Sequence, residues 1–276
     1  MGHEVHTLVR RPVQNANEIE WDPAAGKLDA AQLKGITAVI HLAGANVAGG
    51  RWTQQRRALI RDSRIESART LLRAMSELEH KPEVVISAAA TGVYGERGDE
   101  ILTEESSSGT GFLSEVCRDW EGKLFEAETM GLRTVALRFG LVLSPTGGVL
   151  SKILPVFKLG LGGRLGDGRQ WMSWVALDDL LAIVQMALTE KRVRGPINVV
   201  APNPVRNAEF TRLLAQVLHR PYFFPVPAAI LRLIFGQMAN ETVLASSRVM
   251  PAKLTELGYQ FRHADLDQTF RHLLTR

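Results

Sequence analysis

The 276-residue chain contains a single cysteine, Cys117, and its hydrophobic runs are all far shorter than a membrane span. One cysteine excludes an internal disulfide and is typical of a protein from a reducing compartment. A transmembrane helix needs about 20 consecutive apolar residues. The first residues, MGHEVHTLVRRP, also lack the pattern of a cleavable signal peptide. These absences predict a cytoplasmic protein with no membrane partner.

Signatures of metal and nucleic-acid binding are also lacking. The seven histidines show no metal-ligand spacing, so no metal site is predicted. The net charge is only +4. Arg57, Arg61 and Arg64 recur at helical spacing, but Asp62 and Glu66 are interleaved with them. This favours a solvated helix face over a nucleic-acid site. The expected partner is a small molecule, and a homodimer is compatible with the sequence.

The most informative stretch runs from Val84 to Gly95 and reads VVISAAATGVYG. An unbroken apolar run rich in Val and Ile is typical of a strand covered on both faces of a parallel sheet. Small residues would lie at its carboxyl end, where open α/β sheets bind their ligands. The alternative is that these small residues only pack tightly under a helix.

Further apolar runs alternate with amphipathic helices along the first 145 residues. Strands are predicted over Glu4–Val9, Ile19–Asp22, Ile36–Leu42 and Leu132–Arg138, and helices over Thr53–Glu79 and Phe112–Met130. This alternation indicates βαβ units. The predicted fold is therefore α/β, a Rossmann-like doubly wound parallel sheet.

Four motifs carry a resemblance to a known family. VIHLAG (Val39–Gly44), SAAATGVYG (Ser87–Gly95) and RFGLVL (Arg138–Leu143) resemble the extended short-chain dehydrogenase/reductases, which include the NAD-dependent epimerases and dehydratases of nucleotide sugars. The stretch LPVFKLGLGGRLGDGRQWMSWVALDDL (Leu154–Leu180) is similar to an atypical, YfcH-like branch with a C-terminal domain of unknown function. The resemblance implies an NAD(P)-binding Rossmann domain over residues 1–145. A substrate-binding α/β cap would follow over residues 146–276, including a small domain at about 225–276.

The expected opening of such a domain is not found upstream of Glu4. A dinucleotide-binding sheet normally starts with a strand, a glycine-rich turn and a helix, and no G-x-G-x-x-G precedes Glu4. We therefore expect that these three elements are missing from the sequence as written and are encoded in frame just upstream. The flank of Ile36–Leu42 or Glu4–Val9 would then be exposed. The alternative is a rearranged sheet that closes the gap.

The resemblance also implies where the cofactor lies. The adenosine half would lie over Leu42, Ala43 and Gly44. The nicotinamide ribose would face Ser87, Ala88 and Ala89, and the nicotinamide side would be formed by Gly140 and Val142. Trp21 and Asp22 would edge the adenine, unless Trp21 only packs on the sheet rim. Arg138 would be either a phosphate ligand or an ion-pair anchor.

The charge after the first predicted strand bears on the choice of cofactor. An acidic residue at the end of the second strand of a Rossmann fold accepts the ribose 2′-hydroxyl of NAD. Here Arg10 and Arg11 follow the strand, and no carboxylate appears until Glu18. Guanidinium groups match phosphate geometry. The sequence therefore favours NADP, with NAD as the alternative.

The usual catalytic set of the resembled family is not found. Typical members use a Ser or Thr on the central strand and a Tyr and a Lys four residues apart on the following helix. This chain has Ala89 at the strand position and Leu113 and Cys117 at the two helix positions. Thr91 and Tyr94 are the nearest substitutes, although Tyr94 has no evident lysine to lower its pKa and is favoured as a structural tyrosine. Cys117 is expected to be a buried helix residue.

Arg169, Gln170, Trp171 and Trp174 lie in the segment that contacts the substrate in nucleotide-sugar enzymes. A strand over Arg169–Val175 would place alternate side chains on opposite faces, so that one tryptophan lines the pocket while the other fills the core. The predicted function is an NADP(H)-binding, epimerase/dehydratase-like oxidoreductase acting on a small molecule, with nucleotide sugars as candidates. The alternative, motivated by the missing catalytic set, is a non-catalytic dinucleotide-binding sensor or interaction protein.

Overall fold

The computed structural model describes residues 2–275. In chain order, its strands are β1 (Thr7–Val9), β2 (Glu18–Glu20), β3 (Ala38–His41), β4 (Val84–Ala90), β5 (Ile101–Leu102), β6 (Arg133–Phe139), β7 (Leu141–Ser144), β8 (Trp171–Met172), β9 (Trp174–Ala176), β10 (Gly195–Val199), β11 (Val205–Arg206) and β12 (Arg248–Val249). Its α-helices are α1 (Gln54–Ser76), α2 (Phe112–Phe125), α3 (Gly148–Lys158), α4 (Leu177–Thr189), α5 (Asn207–Val217), α6 (Ala228–Phe235), α7 (Gln237–Glu241), α8 (Ala252–Glu256) and α9 (Leu266–Leu274). Short 3-10 helices cover Ala30–Leu33, Thr91–Tyr94 and Glu126–Met130.

Four parallel strands form the central sheet in the order β10-β6-β4-β3. Strand β4 is buried on both faces because alternate residues point to opposite sides of a strand. Val84 and Ile86 share a core cluster with Ile183 of α4, whereas Val85 shares another with Met75 of α1. Helices thus cover the sheet on both faces, and the predicted Rossmann-like α/β fold is confirmed.

The edge of the sheet beyond β3 is exposed. Strands β1 and β2 form a separate parallel pair. Within residues 2–275, β3 has no hydrogen-bonded strand on its outer side. Ile40 and Leu42 are 43% and 66% exposed, which agrees with the expected exposure of the flank of residues 36–42.

The region after residue 145 contributes to the sheet and also builds a second core. Strand β10 lies in the central sheet and α4 packs against it, so the sheet crosses the predicted boundary at residue 145. The second core gathers Leu143, Trp174, Phe210 and Phe270 from β7, β9, α5 and α9. Among residues 2–275, no helix is both long and apolar enough to cross a bilayer.

The prediction of one continuous strand over Arg169–Val175 is wrong. Strand β8 pairs with β11, whereas β9 pairs with β7. The two strands separate at Ser173, whose hydroxyl donates to the Ser247 carbonyl and accepts from the Val249 amide at 2.8 and 2.9 Å. The alternating pattern fitted a strand, but contacts with the distant 247–249 segment divide it.

Candidate functional site

The candidate site lies at the carboxyl ends of β3, β4 and β6. Because the three strands are parallel neighbours, the segments that leave them meet at one edge of the sheet. These segments are Leu42–Gly44, the turn Thr91–Tyr94 and Gly140. Sequence motifs that are far apart in the chain are thereby brought together.

His41 and Ser87 form a buried hydrogen-bonded cluster behind this edge. His41 Nδ1 lies 3.2 Å from Ser87 Oγ, and Nε2 lies 2.9 Å from Ser67 Oγ on α1. Burial, and secondarily the nearby Arg64 cation, lower the pKa of His41 to about 4. The side chain of Ser87 is therefore buried and bonded to His41, which corrects its predicted position facing a ribose. Ala89 is likewise buried, whereas Ala88 and Ala90 are half-buried.

Arg64 lies directly beneath the segment that follows β3. Its guanidinium donates to the carbonyls of Ala45 and Ile60 at 3.1 and 2.8 Å and lies 5.0 Å from the centre of the Trp120 ring. A Cβ atom on Gly44 would lie 3.1 Å from that guanidinium. Gly44 therefore permits a close approach of the backbone to a cation that burial has partly desolvated, lowering the pKa of Arg64.

The predicted solvated face of α1 is only partly present. Arg61 pairs with Asp119 of α2 at 2.7 Å, and Arg57 lies 5.6 Å from the centre of the Phe112 ring and bonds to Gln237. Together with Arg64, these arginines attach α1 to α2 and to the C-terminal helices. Arg61 remains mostly exposed, whereas Arg57 and Arg64 are partly buried.

Tyr94 belongs to a buried polar network. Its hydroxyl donates to Asn198 Oδ1 at 2.7 Å and accepts from Arg138 Nη1 at 2.8 Å. Arg138 also forms a two-pronged ion pair with Glu121 at 2.8 and 2.7 Å. Tyr94 is 0% exposed, and burial raises the pKa of its hydroxyl. Tyr94 is thus a structural tyrosine, the role that the sequence favoured over a catalytic one, and Arg138 is the ion-pair anchor of its two alternatives.

The face of α2 that meets the turn after β4 presents Leu113 and Cys117. A Cβ atom on Gly92 would lie 3.8 Å from Leu113 Cβ and from Cys117 Sγ. Burial, and secondarily the Glu121 carboxylate, raise the pKa of the Cys117 thiol to about 12. A thiol with this pKa is protonated at neutral pH and is a poor nucleophile. Thr91, half-buried beside Gly92, donates its hydroxyl to the Phe139 carbonyl at 3.3 Å.

A cavity of about 380 Å³ opens beside this turn. Gly92, Gly95 and Thr110 lie on one side, and residues of the C-terminal region lie on the other. Its charged and polar lining residues are Glu96, Thr110, Ser114, Arg232, Asn240 and Glu241. The volume falls within the range of small-molecule sites.

Both carboxylates of the cavity are oriented by backbone amides. Glu96 accepts from the amides of Gly98 and Ser246. Glu241 accepts from the amide of Leu113 at 2.8 Å, at the start of α2, where a negative charge is favourable. Arg232 donates to Asn240 at 2.8 Å. One cation and two carboxylates thus face one small space. Arg232 and Glu241 belong to the C-terminal region, and Glu96 accepts a bond from it through the Ser246 amide.

The predicted substrate residues separate into three environments. Gln170 is buried and donates to the carbonyls of Leu165 and Val243 at 3.1 and 3.0 Å. Trp174 is fully buried and donates to the Asn203 carbonyl. Both are structural residues: this corrects the assignment of Gln170 to the substrate, and Trp174 is the tryptophan that fills the core. Arg169 is exposed, and its carbonyl accepts from Arg206.

Trp171 is the half-buried tryptophan of the pair and lies between two guanidinium groups. Arg206 and Arg248 are centred 4.1 and 4.5 Å from its ring. Its Nε1 donates to Asp99 at 2.8 Å, and its amide donates to Ser246 Oγ at 3.1 Å. Since the Ser246 amide also bonds to Glu96, this cationic cluster adjoins the cavity.

Gly140 has a packing role. A Cβ atom there would lie 2.5 Å from the Ser173 carbonyl oxygen and 2.6 Å from Val200 Cγ1. The position thus requires glycine because β9 and the chain after β10 approach so closely. Val142 is half-buried against the core cluster on the α4 side of the sheet.

Near β1 and β2, the residues predicted to contact the adenine and the 2′-phosphate differ from one another in their surroundings. Trp21 is buried in the core with Ile19, so it packs beneath the sheet, and Asp22 is exposed in a turn. Arg11 forms a two-pronged ion pair with Glu18 at 2.8 and 2.7 Å, and its hydrogen bond is the main cause that lowers the pKa of Glu18. Arg10 is exposed. The two arginines are thus not equivalent.

Sequence reasoning missed Arg64, Arg232 and Glu241. Arg232 and Glu241 lie in a region without a chemical motif and reach the site through tertiary packing alone. In the sequence, Arg64 stands out only as part of the helical arginine spacing, where the interleaved Asp62 and Glu66 suggested a surface position.

Comparison with known proteins gives the same architecture. Residues 1–200 match the model of the NAD dependent epimerase/dehydratase family, and residues 226–273 match a domain of unknown function, DUF1731. The second match coincides with the small domain predicted at about 225–276. The two matches enclose the cavity from its two sides.

Three relatives illustrate the similarity. Epimerase family protein Mb2239 of Mycobacterium bovis is 38% identical over 274 residues, covering 99% of this chain and 90% of the relative. The crystal structure of human epimerase family protein SDR39U1 with NADPH superposes with a TM-score of 0.90 at 28% identity, covering 100% of this chain and 92% of the human one. A nucleoside-diphosphate sugar epimerase from Corynebacterium glutamicum gives a TM-score of 0.81 at 38% identity, covering 99% and 53%. The chain therefore belongs to the NAD dependent epimerase/dehydratase family, in the branch that carries the C-terminal domain of unknown function.

Proposed function

We propose that this protein is an NADP(H)-dependent, epimerase/dehydratase-like oxidoreductase whose small-molecule substrate binds in the cavity beside the turn Thr91–Tyr94. The observation that carries this proposal is the position of the cavity. It opens at the carboxyl end of β4, the sheet edge at which α/β folds bind ligands, and it faces one cation and two carboxylates. The NADPH in the related human structure supports the cofactor.

The residues at the sheet edge are small enough for a dinucleotide to approach the backbone. Ala43, Ala88 and Ala90 are small and half-buried, and Gly44 is exposed. These residues leave the backbone accessible, whereas larger polar groups such as His41 are turned inward. Residues Leu42–Gly44 and Ala88 would hold the cofactor. A nicotinamide dinucleotide supplies hydride transfer when bound, and the chain's own residues bind and orient the substrate.

Three groups of the cavity have assignable roles toward a substrate. Arg232 would bind a negative charge. Glu96 and Glu241, held by backbone amides, would each orient a hydroxyl or hold its proton. The Thr91 hydroxyl, at the strand end, is the remaining candidate for a hydrogen bond to a carbonyl oxygen. The buried Tyr94 takes no part.

The substrate class is inferred from the cations. Arg232 lies in the cavity, and Arg206 and Arg248 flank Trp171 nearby. Planar guanidinium groups match phosphate. These features support an anionic, phosphate-bearing substrate, with nucleotide sugars as candidates. A cytoplasmic location and a homodimer remain predictions.

Replacing Arg10 with Ala is expected to weaken NADP(H) binding by about 1.5–3 kcal/mol, the value of a hydrogen bond to a charged group. Arg10 is the exposed arginine after β1, and within residues 2–275 it has no carboxylate partner at the distances that hold Arg11 to Glu18. Arg11→Ala, the matched variant, should cost less. Isothermal titration calorimetry with NADP(H) and NAD(H) measures both. Equal losses for the two cofactors would mean that Arg10 does not recognise the 2′-phosphate.

Turnover of NADPH with sugar nucleotides and small carbonyl compounds tests the activity. Once a substrate is found, Arg232→Gln is expected to raise KM by about 10–100-fold, because a charged hydrogen bond is lost, with a smaller change in kcat. Arg194→Gln, an exposed arginine just before the amino end of β10, is the control. An unchanged KM for Arg232→Gln would place the substrate elsewhere.

A non-catalytic dinucleotide-binding sensor is the second candidate. The observations that favour it are Leu113 and Cys117 at the helix positions facing the strand end, and the complete burial of Tyr94. The two candidates differ in whether hydride leaves the cofactor. Stereospecific exchange of the C4 label of NADPH in a cell extract, dependent on this protein, would rule out the sensor.

A further inference from the structure

Two histidines and an aspartate converge on the side of the molecule where α4 meets the C-terminal domain. His263 Nε2 and His272 Nε2 lie 3.5 and 3.4 Å from the same atom, Asp178 Oδ2. One ligand atom from each of the three residues lies within 4.8 Å of the others. The imidazole rings are 4.7 Å apart, centre to centre. This His263–His272–Asp178 cluster is separate from the cavity and from the sheet edge.

The cluster is held in place by the neighbouring carboxylate. Asp179 is fully buried and accepts from the Tyr259 hydroxyl and from the amides of Arg262 and His263, at 2.9, 3.0 and 2.9 Å. These bonds fix the loop that carries His263 against the first turn of α4. His272 stands in the last turn of α9, whose start is capped by Asp265. The three side chains therefore come from three anchored segments.

The two separations from Asp178 fit metal coordination better than hydrogen bonding. A charge-assisted N–H···O bond is typically about 2.7–2.9 Å long, shorter than either separation to Asp178. In tetrahedral zinc sites the ligands lie about 2.0–2.2 Å from the ion, which places neighbouring ligand atoms roughly 3.3–3.5 Å apart.

We infer that Asp178, His263 and His272 form a binding site for a divalent transition-metal ion such as Zn²⁺. Two imidazole nitrogens and one carboxylate oxygen are a ligand set suited to zinc and its neighbours, and nitrogen ligands disfavour Mg²⁺ and Ca²⁺. The Asp178 side chain is 49% exposed, so an ion can enter from solvent and keep water as its fourth ligand. The ion would join α4 of the family domain to the C-terminal domain.

The test is zinc binding by the untagged full chain. We expect one equivalent of Zn²⁺ to be retained through gel filtration and to raise the melting temperature, an increase that a chelator reverses. X-ray absorption should show nitrogen and oxygen ligands at about 2.0–2.2 Å, including imidazole. Losing a residue that only orients a metal ligand costs about 10–100-fold in metal affinity. The ligand variants His263→Gln, His272→Gln and Asp178→Asn should each weaken zinc binding by more than this.

His80→Gln is the matched control, because His80 is exposed and lies before β4, in a part of the chain that supplies none of these ligands. It should bind zinc as the unmodified chain does. Circular dichroism of each variant without metal checks that its fold is retained. The inference fails if the unmodified chain retains no zinc, or if binding survives unchanged in the three ligand variants. Neither outcome depends on NADPH binding or turnover.

Discussion

Replacing Glu121 with Gln is expected to lower the free energy of unfolding by about 3–5 kcal/mol, because it leaves a buried guanidinium without its counter-charge. Glu121 and Arg138 are both at least nine-tenths buried and meet through two hydrogen bonds. Burial lowers the pKa of Arg138 and its bonds to Glu121 raise it. Because a guanidinium group keeps its proton in proteins, Arg138 stays charged when Glu121 is neutralised. Urea unfolding followed by tryptophan fluorescence measures the loss.

Two further variants make this result specific. The pair Arg69–Glu66 is partly exposed, so Glu66→Gln should cost at most about 1 kcal/mol. Replacing both buried partners, Glu121→Leu with Arg138→Met, should recover much of the loss, since apolar residues remove the cost of desolvating two charges. A cost below about 1 kcal/mol for Glu121→Gln would show that water reaches the pair, because surface ion pairs contribute that little.

This ion pair supports the floor of the candidate site. Arg138 donates to Tyr94, Tyr94 donates to Asn198, and the Asn198 amide donates to Glu104 at 2.9 Å. The network joins β6, the turn after β4 and β10. We therefore expect Glu121→Gln to affect the cavity through the position of the turn Thr91–Tyr94, although Glu121 itself does not line it.

The fold was predictable because strands that are buried on both faces of a parallel sheet appear in the sequence as unbroken apolar runs. The run from Val84 alternates between two core clusters, and every residue of the pattern points to a covered face. The place of β10 in the central sheet, by contrast, depends on pairing with β6, 60 residues earlier, which local sequence does not encode.

The site was less predictable, because its chemistry depends on tertiary contacts. Nothing near Tyr94 in sequence indicates that Asn198 and Arg138 enclose it. Ser87 stood at the right strand end but faces His41. His263 and His272 are not at a metal-ligand spacing, and Asp178 joins them from another element. The order of the motifs therefore located the edge, while side-chain orientation at that edge required the structure.

Acidification from pH 7 to pH 4 is expected to cost about 3 kcal/mol of stability through His41 alone. The folded pKa of about 4 lies below the ordinary value of 6.5, first because of burial and second because of Arg64. Between these values the unfolded chain binds a proton that the folded chain excludes. The contribution of neutral His41 is thus complete above about pH 6.5 and decreases toward pH 4, with a slope approaching about 1.4 kcal/mol per pH unit.

Urea unfolding at a series of pH values, compared between the unmodified chain and His41→Gln, isolates this contribution. Glutamine can still bond to a serine hydroxyl but does not titrate, so the stability of the variant should fall less steeply below pH 6.5. His80→Gln, at an exposed histidine, should keep the slope of the unmodified chain. Parallel curves for His41→Gln and the unmodified chain would show that the pKa of His41 is the same in the folded and unfolded states. Because His41 joins β3 to β4 and α1, its protonation should loosen first the edge that carries Leu42–Gly44.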